Sequence, residues 1–134
     1  MEVMSLIPAD YAAANQDGKF TLVGAGFTEI KAAKFPCVHP LMFLLVRLKV
    51  TKKDTGKNRI VIRLMGETGA LFKAQFDVDV QPQGENLKEH FINIPCQLVN
   101  LKFEKAGDYS FEVEINGNTL SQELKLKPIN EVPQ

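Results

Sequence analysis

Two cysteines and two histidines carry the sharpest chemistry in this 134-residue chain: Cys37, His39, His90 and Cys96. Two Cys and two His can hold zinc tetrahedrally. The spacings here, Cys-x-His and His-x5-Cys, are not those of the usual zinc pairs. Cys96 falls on the apolar side of an alternating run, where a free cysteine acts as a small hydrophobe. No metal site and no cofactor are therefore expected. Cys37 with His39 as its base would make a thiol nucleophile, since residues two apart in an extended chain share a side. No acid follows nearby to orient the imidazole, and Pro36 and Pro40 flank the pair in what reads as a rigid loop. No catalytic residue is assigned, and the chain reads as a non-enzyme. Two cysteines are also too few for a disulfide scaffold.

Binding residues are the second class. Asp10 and Tyr11 follow an apolar run and read as a turn at one end of the fold, Asp10 accepting backbone N–H bonds and Tyr11 packing over that end. Together with His39 they form a candidate cleft. Arg47, Lys49, Arg59 and Arg63, joined by Lys52, Lys53 and Lys57, form a candidate basic patch that also reads as a solvated charge ladder. No aromatic residue interleaves these cations, and the formal net charge is +0 with a pI near 6.7. Nucleic acid is not an expected partner. No apolar run approaches the roughly 18 residues of a membrane helix, and Met1 to Pro8 lack a basic region and a signal-length apolar core. The expectation is a cytoplasmic chain without a membrane partner.

These side chains need a scaffold, and its centre is Leu41 to Val50. Met42, Leu44, Val46, Leu48 and Val50 are all apolar, while the alternate positions begin apolar and turn basic at Arg47 and Lys49. Period two over ten residues predicts a strand buried on one face and covered on the other only at its first end. Val3–Ile7 predicts a short first strand, ended by Pro8. Ala9–Ala14 fits one helical turn, stopped by the tight-turn pair Asp17-Gly18. Lys19–Ile30 reads as one strand with a bulge or bend at Gly24-Ala25-Gly26. Asn58–Met65 and Leu71–Val80 alternate cleanly, and matching their apolar faces sets Arg59 opposite Asp77 and Lys57 opposite Asp79. His90–Val99 is the next strand, with Pro95 at an edge or bend.

Leu101-x-Phe103-x3-Gly107-x-Tyr109-x-Phe111 reads as a corner whose tyrosine hydroxyl bonds backbone. Asn116-Gly117 is the strongest hairpin signal and pairs Val113 with Leu120 and Tyr109 with Leu124. Seven to eight strands and no full-length helix predict an all-β, immunoglobulin-like antiparallel sandwich. Residues 1–127 form one domain, and 128–134 a polar tail.

The motifs Ala9-Asp10-Tyr11-Ala12, Gly18-Lys19, Gly24-Ala25-Gly26, Phe35-Pro36, His39-Pro40 and Leu45-Val46-Arg47-Leu48 resemble a family of short bacterial proteins catalogued as a domain of unknown function. The resemblance covers roughly residues 1–80 by motif and the rest by strand pattern. It implies a small bacterial cytosolic β-sandwich and no particular activity.

The apolar odd positions Leu41, Phe43 and Leu45 need a cover, from the N-terminal segment or from a partner. The expected function is protein interaction or self-association as a homodimer, with Phe43 and Arg47 on the contact face. A small-ligand or metal site at Asp10, Tyr11 and His39 is the alternative.

Overall fold

Leu41–Val50 does lie at the centre, as part of a 15-residue strand, β4 (Cys37–Thr51). The computed structural model describes residues 1–82 and 89–129. Residues 83–88, and most of the tail predicted at 128–134, lie outside the described residues. The other strands are β1 (Glu2–Ala14), β2 (Phe20–Ala25), β3 (Glu29–Ala32), β5 (Gly56–Gly66), β6 (Gly69–Val80), β7 (Glu89–Phe103), β8 (Gly107–Ile115) and β9 (Asn118–Pro128). They form two sheets, ordered β2-β1-β4-β7 and β3-β9-β8-β5-β6. The architecture is an all-β sandwich.

Alternation explains the layers. Met42, Leu44, Val46, Leu48 and Val50 point from β4 into the space between the sheets, and none is exposed. Ile60, Ile62 and Leu64 of β5 and Phe111, Val113 and Ile115 of β8 fill the facing side. Nearly continuous branched and aromatic side chains on one face of each strand leave the sheets no other way to remove them from water.

The register of β5 with β6 is the one that charge and burial predict, with Arg59 opposite Asp77 and Lys57 opposite Asp79. The β8–β9 hairpin likewise pairs Val113 with Leu120 and Tyr109 with Leu124. Its turn places Asn116 and Gly117 at φ 49° and 80°, the left-handed region that this residue pair tolerates. The tyrosine corner also forms. Tyr109 Oη donates to the Lys105 carbonyl at 2.6 Å, and its ring packs edge-on to Phe103 with centroids 5.1 Å apart. Tyr109→Phe keeps the ring and strands that carbonyl's bond. It is expected to lower unfolding free energy by about 1 kcal/mol in a urea titration, and a change near zero would show that the hydroxyl contributes nothing.

The N-terminal third departs from the sequence expectation. Val3–Ile7 and Ala9–Ala14 are one strand of 13 residues, with no helical turn at the alanines. Pro8 sits inside it. The missing proton is tolerated because Pro8 lies where β1 passes from one neighbour to the next. Residues 2–9 pair with β4 and 9–14 with β2. The Pro8 carbonyl still accepts from Gly26 N–H at 2.9 Å, so the absent N–H falls at the open end of β2. Lys19–Ile30 is not one strand either. Gly24-Ala25-Gly26 marks a crossing between sheets, after which β3 pairs with β9. That pairing is parallel, unlike the all-antiparallel sandwich expected. Gly24 has φ +59°, and a Cβ there would sit 2.1 Å from Asp10 Oδ2, so both backbone and neighbour demand glycine.

At the far end, β7 runs unbroken through Asn100, whose φ of 54° shifts the inward face from Leu98 to Leu101 and Phe103. Pro95 falls on an edge strand, as expected. Among the described residues nine strands result, against the seven to eight expected, because one predicted strand splits between the sheets.

The far half of β1 does not continue alongside β4. The β1–β2 turn, with Asp17 and Gly18 at φ 63° and 72°, folds back over the outer face of the first sheet. There Arg47 Nη1 on β4 donates to the Gly18 carbonyl at 3.2 Å, and Asn93 Nδ2 on β7 donates to the same oxygen at 3.0 Å. Leu45, on that outer face, is 0% exposed and is buried with Ala9 and Ala12 outside the main core. The chain's own N-terminal hairpin thus covers Leu45 fully and Phe43 in part, while Leu41 stays 44% exposed beside Val99. At Leu45 the cover comes from the N-terminal segment, the first of the two covers the sequence allowed.

Candidate functional site

Sheet crossing builds a pocket at one end of the sandwich. Asp10 stands where β1 leaves β4, His39 lies near the start of β4, and Phe27, Glu29 and Ile30 come from the crossing and β3. Together they line a cavity of about 220 Å³. Phe27 and Ile30 form apolar walls that continue the core. Glu29 is held on the rim by Lys127 of the neighbouring β9, at 3.0 Å. That hydrogen bond and charge hold the Glu29 carboxyl below the usual carboxylate range. The arrangement offers carboxylates and an imidazole over an apolar floor, which suits a small ligand with a cationic or hydrogen-bond-donating head.

Two of the residues expected at this end, Asp10 and His39, do meet in the pocket. Tyr11 does not join them. Successive strand residues point to opposite faces, and the Tyr11 ring lies edge-on to Phe43 with centroids 5.3 Å apart, 49% of the residue being exposed. Nor is Asp10-Tyr11 a turn; both belong to β1. Sequence reasoning missed Phe27, Glu29 and Ile30. The signal was the glycine pair at 24 and 26, which marks a change of sheet as well as a bend.

Arg47 and Phe43 serve the hairpin. The Arg47 guanidinium carbon sits 4.3 Å from the centre of the Phe91 ring and 5.4 Å from that of Phe20, and Nη1 also donates to Asn93 Oδ1 at 3.0 Å. A guanidinium between two aromatic faces is a strong planar latch. The basic patch does not assemble: Arg47 and Lys49 lie on the sheet of β4, whereas Arg59 and Arg63 lie on the other sheet. Arg59 meets Asp77 at 3.6 Å and Arg63 meets Glu114 at 3.6 Å, on that sheet's outer face.

The four Cys and His residues are equally dispersed. His90 pairs with Val50 and His39 with Leu101, so the two histidines lie roughly 35 Å apart along the strands. Cys96 pairs with Leu44, roughly 20 Å from Cys37, far beyond the reach of a disulfide. Among the described residues, no three of His, Cys, Asp and Glu converge well enough to hold a metal ion. Burial pushes the Cys37 thiol up and that of Cys96 up to about 11. Both remain thiols at neutral pH, which is a poor start for a nucleophile.

The opposite end of the sandwich is a polar junction. Asp54, 7% exposed, accepts from the Met1 amine at 2.8 Å, from Thr51 N–H at 2.9 Å and from Thr51 Oγ1 at 3.2 Å. Its own carbonyl accepts from Asn58 Nδ2 at 2.7 Å, and Asn58 Oδ1 accepts from Asn116 Nδ2 at 2.9 Å. Asn118 Nδ2 donates to the Met1 carbonyl. Burial alone would raise the Asp54 carboxyl, but the Met1 ammonium and the Thr51 bonds outweigh it and hold the group below its ordinary value.

With strand order, corner and crossing in view, the comparison with known families is decided by coverage. A family model matches residues 4–127. The chain belongs to DUF6941, a family of unknown function. No curated protein matches this DUF6941 chain. Among the described residues, no helix is long and apolar enough to cross a membrane.

Proposed function

We propose that this DUF6941 chain is a non-enzymatic interaction module that accepts an extended strand along the free edge of β6. The edge itself carries the reading. β6 is 12 residues long, has no proline, and among the described residues is hydrogen-bonded on one side only, to β5. The N–H and C=O groups on the open side of such a strand are ready to pair with another chain. The other edges suit this less. β3 has four residues, β2 has six and includes Gly24 at positive φ, and β7 carries Pro95. The raised pKa of both thiols supports the non-enzymatic side. The test uses a fluorescent peptide with the sequence of residues 69–80. Saturable binding, with amide exchange slowed in β6 alone, is expected; no binding, or protection elsewhere, would remove the reading.

The pocket at Asp10 and His39 favours a second reading, a small-ligand site. Butylamine is a suitable probe of its rim charge and apolar floor. The His39 ring resonances are expected to move on titration in the wild type and to stay fixed in Asp10→Asn; a still spectrum in the wild type ends this reading.

A further inference from the structure

The charges along β6 are arranged to meet themselves. Its outward row runs Leu71, Lys73, Gln75, Asp77, Asp79. When two copies of β6 lie antiparallel with Gln75 on the two-fold axis, Lys73 of each stands opposite Asp77 of the other. The inward row is then matched as well, Ala74 against Phe76 and Phe72 against Val78.

Two features of the single chain point the same way. The first is Lys73. On its paired side it faces Arg63, a like charge directly opposite, which is unfavourable across a ladder. Arg63 is answered by Glu114. Among the described residues no carboxylate answers Lys73; the side on which one would fit is the open edge. The second is the inward row. Phe72, Ala74 and Phe76 are only half-buried although they point toward the core, whereas Val78 and Val80 further along are buried. Phe72 and Phe76 already pack against that core, so a strand laid along the edge would extend it over them.

We infer that the partner at this edge is a second copy of the chain, joined β6 to β6 antiparallel about Gln75, so that the five-stranded sheets of two copies become one of ten strands. The inference rests on the strand-addition reading and adds the identity and register of the partner. A contact of this kind is isologous and closes on itself, so it yields a dimer and not a fibre.

Light scattering on a sizing column and a cysteine cross-link test it. The wild type is expected to elute as a dimer. Lys73→Asp sets like charges opposite each other twice per dimer and should weaken association about tenfold or more. Asp77→Lys should do the same, and the double variant should recover the dimer. Both positions are exposed, and the Arg59–Asp77 pair lost in Asp77→Lys is a surface pair of small worth, so circular dichroism should stay unchanged. Gln75→Cys faces its own copy at about 4.5–5.5 Å between Cα atoms, within disulfide range. It should form a covalent dimer on mild oxidation while the wild type, with Cys37 and Cys96 in place, does not.

A wild type that is monomeric at every concentration, or a dimer that Gln75→Cys fails to link, overturns the inference. The peptide of residues 69–80 separates the two failures. If it still binds β6, strand addition stands with a different partner; if it does not, strand addition falls too.

Discussion

Leu45→Ala is expected to lower unfolding free energy by about 3 kcal/mol, as much as Leu44→Ala on the opposite face of the same strand. A single sheet with one face in water would not behave so; its outward leucine could be truncated for about 0.5 kcal/mol or less. The difference comes from the N-terminal hairpin. Leu45 lies on the outer face between Phe43, which touches Tyr11, and Arg47, which holds Gly18 and stacks on Phe20. Both flanking side chains meet the hairpin, so Leu45 is under it, with no exposed surface. Urea titrations of both alanine variants decide the point. A small loss for Leu45→Ala beside a large one for Leu44→Ala would mean the hairpin does not cover the face.

Asp54→Asn is expected to cost about 2 kcal/mol at neutral pH. The side chain keeps its size, but the amide presents N–H toward either the Met1 ammonium or the Thr51 donors, which need an acceptor. The pH dependence follows from the lowered pKa. The ordinary value is 3.8 and the folded value lies below it. The unfolded chain therefore takes up the proton first as pH falls. Stability from this group is complete above the ordinary value and drains away as pH falls through the folded one. The wild type should lose its advantage over Asp54→Asn in acid. Thermal melts at pH 7 and pH 3 would show it, and a gap that stays constant would mean that the ammonium–carboxylate pair is not its source.

Local signals made the C-terminal half legible. Asn116-Gly117 dictates a tight hairpin from two residues, and the charges on β5 and β6 select one register from the several that apolar alternation allows. Tyr109 is predictable because its spacing from Leu101 and Phe103 fits one corner. The N-terminal third depends on distant partners. Ala9–Ala14 has the intrinsic preference of a helix, and only pairing with β2 makes it a strand. Arg47 looks like a surface cation until Phe20 and Phe91, far apart in sequence, close around it. The pocket was half legible for the same reason. Asp10 and His39 are conspicuous by type, while Phe27, Glu29 and Ile30 become neighbours only when the chain changes sheet. Periodicity reports which face a residue takes, not which sheet it joins.

The parallel pairing of β3 with β9 has a consequence for how the chain reaches this state. β3 follows β2 directly, yet its hydrogen-bonding partner is the last strand. An antiparallel hairpin such as β8–β9 can close within microseconds once its residues exist. The β3–β9 ladder must wait for a loop spanning most of the sequence to close, which is the contact-order penalty in its plainest form. During synthesis, β1 to β3 emerge long before β9 and spend that interval with one edge unoccupied. The last strand is therefore the clasp of the sandwich, and folding that depends on it should be slow and single-step compared with the fast closure of the hairpins.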